Sequence, residues 1–273
     1  MALSRPRTET QFIVLPPSKL AVPSVFRNVE VNNRRYHYLL VEMQRFRGRV
    51  YRADGAISES ELTADGRHRV AEDEESWNVL SLDRNGRIVA CLRCLDEKDA
   101  TGFDDLWIRH SALAKSPAFG RRFRHAVEKE MVRARSMGIS FAEVGGWAVA
   151  EDYRWTPEAL RIILAAYSLG ELLGGRCGVA MATFRHSSAK ILRRIGLTSM
   201  MADGQELPPY YDPHYHCQME VLRFDSRRPN PKYADLVSEI SESLAVAPVV
   251  SRRTPGTASA RGGGESAGNC AAA

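Results

Sequence analysis

The chain has 273 residues, of which 44% are hydrophobic and 26% charged: enough for one substantial core in a single α/β domain with extensions at both ends. No apolar run reaches the ~18 residues of a membrane-spanning helix, and the opening Met-Ala-Leu-Ser-Arg-Pro-Arg lacks the apolar centre of a signal peptide, so a cytoplasmic protein is expected. The formal net charge of +5 is mostly an arginine excess, which suits either a solvated surface or an acidic partner such as a carrier protein, a nucleic acid or an anionic membrane surface. Residues 1–22 carry Pro16 and Pro17 without a clear period and read as an extended arm. Over 36–51, Leu39, Leu40, Met43, Phe46 and Val50 recur at helical spacing. The polar stretch 52–75, with Gly55 and Gly66, reads as a long loop, and long loops inside compact domains are often functional. Strands over 77–82 and 88–92, joined by Asp83-Arg84-Asn85-Gly86, predict a hairpin. A helix over 119–137, with Phe119, Phe123, Val127 and Met131 on one face, stops at Gly138. An apolar strand over 141–149 leads to a helix opened by Thr156-Pro157 and closed by Gly174-Gly175. A strand over 177–183, a helix over 187–195 ended by Gly196, a strand over 217–224 and a helix through Tyr233, Leu236, Val237, Ile240 and Leu244 follow. Residues 251–273 are Gly, Ala, Ser and Arg without a core and read as a disordered tail, leaving 23–250 as the folded domain. This order predicts a mixed sheet with helices packed on its faces.

Five cysteines without a secretory signal argue against a disulfide framework. Cys91 and Cys94 have C-x-x-C spacing, but on a strand the two thiols point to opposite faces. With no second such pair, and with His214, His216 and Cys217 as the remaining ligand types, no metal site is expected. Tyr210-Tyr211-Asp212-Pro213 reads as a turn before a strand.

Two segments carry a family resemblance. The first contains Arg47, Val50-Tyr51, Asp65-Gly66-Arg67, Glu72-Asp73, Ser76-Trp77, Asp83, Gly86 and Cys91-Leu92-Arg93. It resembles the N-terminal half of the acyl-homoserine-lactone synthases. There an arginine-bearing helix leads through an acidic loop to an aromatic-led strand, a D-x-x-G turn and a strand ending in arginine. The likeness is closer to the long-chain N-acyl amino acid synthases, a related branch of the GNAT fold. The second segment runs from Glu143-Val-Gly-Gly-Trp147 through Arg154 and Arg185-His186-Ser187-Ser188 to Ile195-Gly196-Leu197, and is similar to the later GNAT elements. Gly145 and Gly146 stand where the homoserine-lactone synthases carry serine and arginine after the strand glutamate, and the usual GNAT pyrophosphate loop is missing after Val149. The resemblance implies a GNAT-like α/β fold: a mixed, mostly antiparallel central sheet with helices on both faces. It also implies a donor other than acetyl-CoA, namely a longer acyl chain on acyl carrier protein or CoA.

Acyl transfer from a thioester needs a neutral amine held near the carbonyl, a group that takes up its proton, and donors for the oxyanion. Glu143, in a strand of small and apolar residues, is the candidate acid/base; its alternative is a structural carboxylate paired with Arg93. Gly145 and Gly146 inside a strand suggest a bulge or a close backbone approach, and a splayed strand there lets a pantetheine arm pair with the backbone. With Trp147, Arg154, Arg185 and His186 they form the expected donor site, Arg154 standing just before a helix N-terminus that favours phosphate. Arg47, Glu72, Asp73 and Trp77 form the expected acceptor site by the same resemblance, while Arg93 joins Glu143 in the catalytic pair. The arginines could grip an acceptor carboxylate bidentately, or the group could be an ion-pair network holding the loop. Arg121, Arg122, Arg124, Arg133 and Arg135 could dock an acidic carrier protein; no nucleic-acid motif accompanies the charge. The expected protein is therefore an N-acyltransferase acting on an amino acid or similar amine without a bound cofactor. Its rivals are a homoserine-lactone synthase using S-adenosylmethionine and a silent GNAT-like module that binds an acyl carrier or nucleic acid.

Overall fold

Side chains alternate across a strand, so each strand residue belongs to one of two helical layers that cover the sheet. The computed structural model describes residues 10–97 and 102–253. In chain order these form β1 (Gln11–Leu15), β2 (Val29–Val31), α1 (Asn33–Ala53), β3 (Trp77–Leu82), β4 (Ile88–Asp96), α2 (Gly120–Ser136), β5 (Ser140–Val149), α3 (Pro157–Leu172), β6 (Arg176–Thr183) and α4 (Ser188–Ile195). The remainder are β7 (Thr198–Ser199), β8 (Met201–Ala202), β9 (Gln205–Glu206), β10 (Tyr210–Asp212), β11 (Cys217–Asp225), α5 (Ala234–Val246) and β12 (Val249–Ser251). The main sheet runs β10-β11-β6-β5-β4-β3-β1-β12-β2, with β7 also on β11 and a separate β8-β9 ribbon. Its β1/β3, β3/β4, β4/β5, β6/β11, β7/β11 and β10/β11 pairs are antiparallel; β5/β6, β1/β12 and β2/β12 are parallel. The mostly antiparallel mixed sheet expected from the sequence is therefore present. Among the described residues no helix is long and apolar enough to cross a membrane.

On one face α1 packs Tyr36, Leu40 and Met43 against Ile13, Leu80 and Cys91. On the same face α2 packs Phe123, Val127 and Met131 against Phe141, Cys177 and Val179. On the other face α3, α4 and α5 bury Ile162, Leu192 and Leu244 against Trp77, Leu92, Ala142 and Leu222. Each large side chain buried this way is worth roughly 1.5–3 kcal/mol relative to exposure. Local chemistry fixes the helix starts. Asn32 caps α1 by accepting from the Arg35 amide at 2.9 Å, and Thr156 caps α3 by accepting from the Glu158 amide at 3.2 Å, with Pro157 next. Gly48, in the middle of α1, lets the loop cross closely: a Cβ there would lie 2.8 Å from the Gly66 carbonyl oxygen.

Several elements depart from expectation, and Tyr210–Asp212, read as a turn, is the strand β10 on β11. The segment read as an extended arm contributes β1, whose Phe12 and Val14 sit in the core on one face and Ile13 and Leu15 on the other. Its five residues are apolar but for Gln11, and alternation is invisible when both faces are covered. β2 and β12 extend the sheet beyond β1; at three residues each they are too short to show a period. β12 also carries the fold to Ser251, and the tail expected beyond it lies, after Arg253, outside the described residues. The 88–92 strand runs on to Asp96, which matters for the site.

Candidate active site

β5 pairs in parallel with β6 from Ser140–Arg176 to Val144–Ala180 and no further. β6 continues to Thr183 on β11, and β5 continues to Val149 on β4. The two central strands thus part in a V. On its β6 side, β5 from Gly145 onward has no strand partner among the described residues, and its peptide groups can pair with an extended amide-bearing chain. A bulge sits where the V opens. Cys91 faces Ala148 and Arg93 faces Gly145, so Gly146 and Trp147 together oppose Leu92. Gly146 has φ +62°, and a Cβ on it would lie 3.0 Å from the Arg93 Cβ and 3.4 Å from the Arg47 Nη1. Backbone conformation and space both demand glycine there. The glycine pair read from the sequence as a bulge and a close approach is both. Trp147 packs its ring partly into the core, and its carbonyl accepts from the Tyr51 hydroxyl at 3.3 Å.

Basic side chains gather at the mouth of the V around Asp54, just past α1. Arg154 donates to the Asp54 carboxylate at 2.6 Å, and Arg185 donates to the Asp54 carbonyl at 2.7 Å. The His186 Nε2 lies 3.5 Å from the same carboxylate. Three of the six residues expected at the donor site, Arg154, Arg185 and His186, are thus brought together beside the start of α3. Beside them Trp155 is 90% exposed. His186 and Ser187 both have left-handed backbones, at φ 54° and 60°, which is uncommon for non-glycine residues and worth about 1–2 kcal/mol of strain each. The left-handed Ser187, at the start of α4, makes no side-chain cap bond, and the Ser188 hydroxyl donates to the Arg185 carbonyl.

On the α1 face of the sheet Arg47 and Asp73 form a buried bidentate pair, at 2.8 and 2.7 Å. Arg47 also donates to the His68 Nδ1 and carbonyl, and Asp73 accepts from Gln44 and the Val70 amide. Burial would raise the Asp73 carboxyl, but the Arg47 bonds and charge outweigh that and hold it below the usual range. Burial and the same cation push His68 down to about 4, so it stays neutral and accepts the Arg47 bond. Every nitrogen of the Arg47 guanidinium is engaged within the chain. Of the two readings open for these residues, the network holding the loop describes Arg47 and Asp73: the bidentate grip is on Asp73. Arg93 differs. It reaches Glu72 at 3.5 Å and Asp73 at 3.9 Å, and its buried Nε has no partner among the described residues. Trp77 does not join this group. It faces the opposite side of the sheet, stacked on Phe26 at 5.3 Å in the core. Strand alternation, hidden in a segment buried on both faces, puts it there.

Glu143 shares the Arg93 face, because Arg93 pairs with Gly145 and Leu95 with Glu143. Its carboxylate accepts the Trp107 amide at 2.7 Å. Its other neighbour is the carboxyl of Glu97, a residue sequence reasoning missed, with which it shares a side-chain hydrogen bond. Burial, then the Glu143 charge and hydrogen bond, push the Glu97 carboxyl up to about 8; burial raises Glu143 as well. The Trp107 amide and the Arg93 charge favour the ionised form of Glu143, against the burial that raises it. Glu97 opens onto a cavity of about 710 Å³ between the loop at Pro17–Leu20, the acidic turn at Glu72–Glu75 and the turn at Asp105–His110. Carboxylates dominate its wall, from Glu72, Glu74, Glu75, Asp96, Glu97 and Asp105, against Lys19, Arg109 and His110. Glu72 links the cavity to the bulge, because it is also the partner of Arg93. The strand order could have signalled Glu97 only through register, which places it opposite Phe141.

Arg122, Arg124 and Arg133, expected to face a carrier, bond to Ala202, Asp104 and Asp225 of their own chain. Cys91 and Cys94 do point to opposite faces of β4. No group of three or more metal-ligating side chains occurs among the described residues.

No family model matches the chain, and no curated protein matches it. Solved structures do. The chain is similar to a CoA-dependent acyl-homoserine lactone synthase, BjaI, solved with SAM and isopentyl-CoA: TM-score 0.52 at 14% identity, covering 91% of this chain and 96% of that one. It is similar to MesI, another CoA-dependent acyl-homoserine lactone synthase, with TM-score 0.50 at 15% identity, covering 85% and 95%. FeeM, an N-acyl amino acid synthase from uncultured soil microbes, matches at TM-score 0.44 and 13% identity over 80% of this chain and 93% of that one. At such identities the likeness to the two acyl-homoserine lactone synthases is one of fold alone, a mixed α/β fold with a mostly antiparallel sheet as expected from the sequence.

Proposed function

We propose that the protein is an N-acyltransferase that moves a medium or long acyl chain from a thioester carrier, acyl-CoA or acyl carrier protein, to the amine of an amino acid or similar small acceptor. The observation that carries this reading is the opened β5/β6 pair with its glycine bulge. It offers unpaired backbone to a pantetheine arm, basic side chains at its mouth for the phosphate, and Arg93 and Glu143 on the sheet face where an amine would attack. In the transfer the amine nitrogen bonds to the thioester carbon, the C–S bond breaks, and donors at the bulge stabilise the oxyanion between these steps. The carboxylate-rich cavity also favours a second reading, in which the acceptor is the cation S-adenosylmethionine and the product a homoserine lactone.

The test is mass spectrometry of lipid extracts from cells expressing the protein, beside Glu143→Ala and Arg93→Ala variants. Purified protein with acyl-CoA and acyl carrier protein donors follows. A new N-acylated amine lost in both variants establishes the reaction and names chain and acceptor. Release of methylthioadenosine from S-adenosylmethionine selects the second reading. Folded protein that binds acyl carriers without turnover rejects both in favour of a silent module.

A further inference from the structure

Glu143 is the carboxylate that the strand pattern singles out, yet it is 7% exposed, and both its backbone donor at Trp107 and its neighbour Glu97 hold it inward. Glu97 stands between it and the cavity. The Glu97 amide donates to the Phe141 carbonyl at 2.9 Å, continuing the β4/β5 ladder one step beyond the Asp96–Ala142 pair. Its side chain therefore shares a face with Leu95 and Glu143 and is the diagonal cross-strand neighbour of Glu143, within reach of a long side chain. Of the two carboxyls, Glu97 lines the cavity. We propose that Glu97 is the acid–base catalyst of the acyl transfer, with Glu143 behind it as the positioning residue.

The proposal rests on the acyl-transfer reading above. An acceptor amine in the cavity, having lost its ammonium proton to solvent, attacks the thioester carbon. The C–N bond forms, and the proton on the now cationic nitrogen passes to the Glu97 carboxylate. As the C–S bond breaks, the same proton passes from Glu97 to the departing thiolate, and the carboxylate is restored. Glu97 is held ready for this first by burial and then by the like charges of Glu143 from β5, Asp105 from the Phe103–Asp105 turn, and its neighbour Asp96. Asp96 is offset by a short ion pair with the buried Arg176 of β6, and Arg93 acts on Glu143. Lys19, Arg109 and His110 stand elsewhere on the cavity wall. A carboxyl that ionises only around pH 8 matches an amine acceptor, which also needs mildly alkaline conditions to shed its proton.

The experiment compares the pH dependence of kcat/KM in the wild type, Glu97→Gln and Glu143→Gln, with an infrared titration of the protonated carboxyl band in the same proteins. In Glu97→Gln the amide still donates to Glu143, so folding is preserved. The expected results are an acid limb with its midpoint near 8 in the wild type, a loss of ~10²–10⁴-fold in kcat in Glu97→Gln with the limb abolished, and an unchanged donor KM. Glu143→Gln keeps a limb but moves its midpoint. The wild-type infrared band disappears between pH 7 and 9 and is missing from Glu97→Gln. A limb that persists unmoved in Glu97→Gln, or activity within threefold of wild type, overturns the assignment alone. A wild type without turnover overturns the acyl-transfer reading, and the catalytic assignment with it, while the infrared band still reports whether Glu97 holds the proton.

Discussion

The buried Arg47–Asp73 pair makes the sharpest prediction, because its two side chains are only 2% and 1% exposed and no other acid among the described residues bonds to Arg47. Asp73→Asn keeps the volume but removes the counter-charge, leaving a guanidinium buried beside a neutral His68. Breaking one side of a buried pair costs ~3–5 kcal/mol, and Arg47→Met, which strands the carboxylate, costs about the same. The double variant Arg47→Met/Asp73→Leu removes both charges. Its remaining cost is the loss of partners for Gln44, the Val70 amide and His68, each roughly 1–3 kcal/mol if left buried and unsatisfied. The double variant strands neither charge, so it should cost less than the ~6–10 kcal/mol sum, by an amount set by how many of those three partners water satisfies again. Urea midpoints at constant m-value measure this at pH 7. The Asp73 carboxyl is held below its ordinary value, so its stabilisation is complete above about pH 4 and is lost as pH falls through the folded value. The wild type should lose more stability between pH 5 and 3 than the double variant. Single substitutions that cost less than about 1 kcal/mol, or costs that simply add, would show that the pair is not buried and exclusive.

Three further outcomes follow from the site. Gly146→Ala should destabilise by about 1–2 kcal/mol, through its φ of +62° and a Cβ 3.0 Å from that of Arg93, and should lower kcat more than donor binding, read by calorimetric unfolding and steady-state kinetics. The Glu97 carboxyl is raised on folding, so its protonation stabilises the fold fully below about pH 4 and progressively less as pH rises through 8. The full shift would be worth about 5 kcal/mol, and its partial exposure reduces this to about 1–2. The urea midpoint should therefore fall between pH 5 and 9 in the wild type and stay flatter in Glu97→Gln. Burial pushes Cys91 and Cys94 up to about 12 and Cys177 up to about 11, so at pH 8 these thiols should ignore an aromatic disulfide reagent until urea unfolds the protein.

The helices were legible because each carries a stripe three to four residues apart and a chemical boundary. Thr156-Pro157 opens α3 as read, and Gly138 and Gly196 close α2 and α4. The hairpin of β3 and β4 was legible from its Asp83–Gly86 turn, where the Gly86 amide bonds to the Asp83 carbonyl. What escaped were segments whose only signal is their partner. β1 is buried on both faces and carries no alternation, and β2 and β12 become strands by pairing with chain more than 200 residues away.

The site divides along the same line. Gly145, Gly146 and Glu143 stood out because each violates the apolar pattern of its own strand, and a local violation is visible locally. Arg47 stood out too, but residue type alone could not say whether its fork was turned to a ligand or to Asp73; that depends on a loop folding back across 26 residues. Glu97 had no signal at all. It sits in the run Asp96-Glu97-Lys98-Asp99, which any reading of polarity assigns to solvent. Only the β4/β5 register brings it beside Glu143, and only the turn at Trp107 closes the space that raises its proton affinity. A carboxyl whose chemistry is created by the fold is invisible to composition. Such residues are found by asking which acid a buried acid is bonded to.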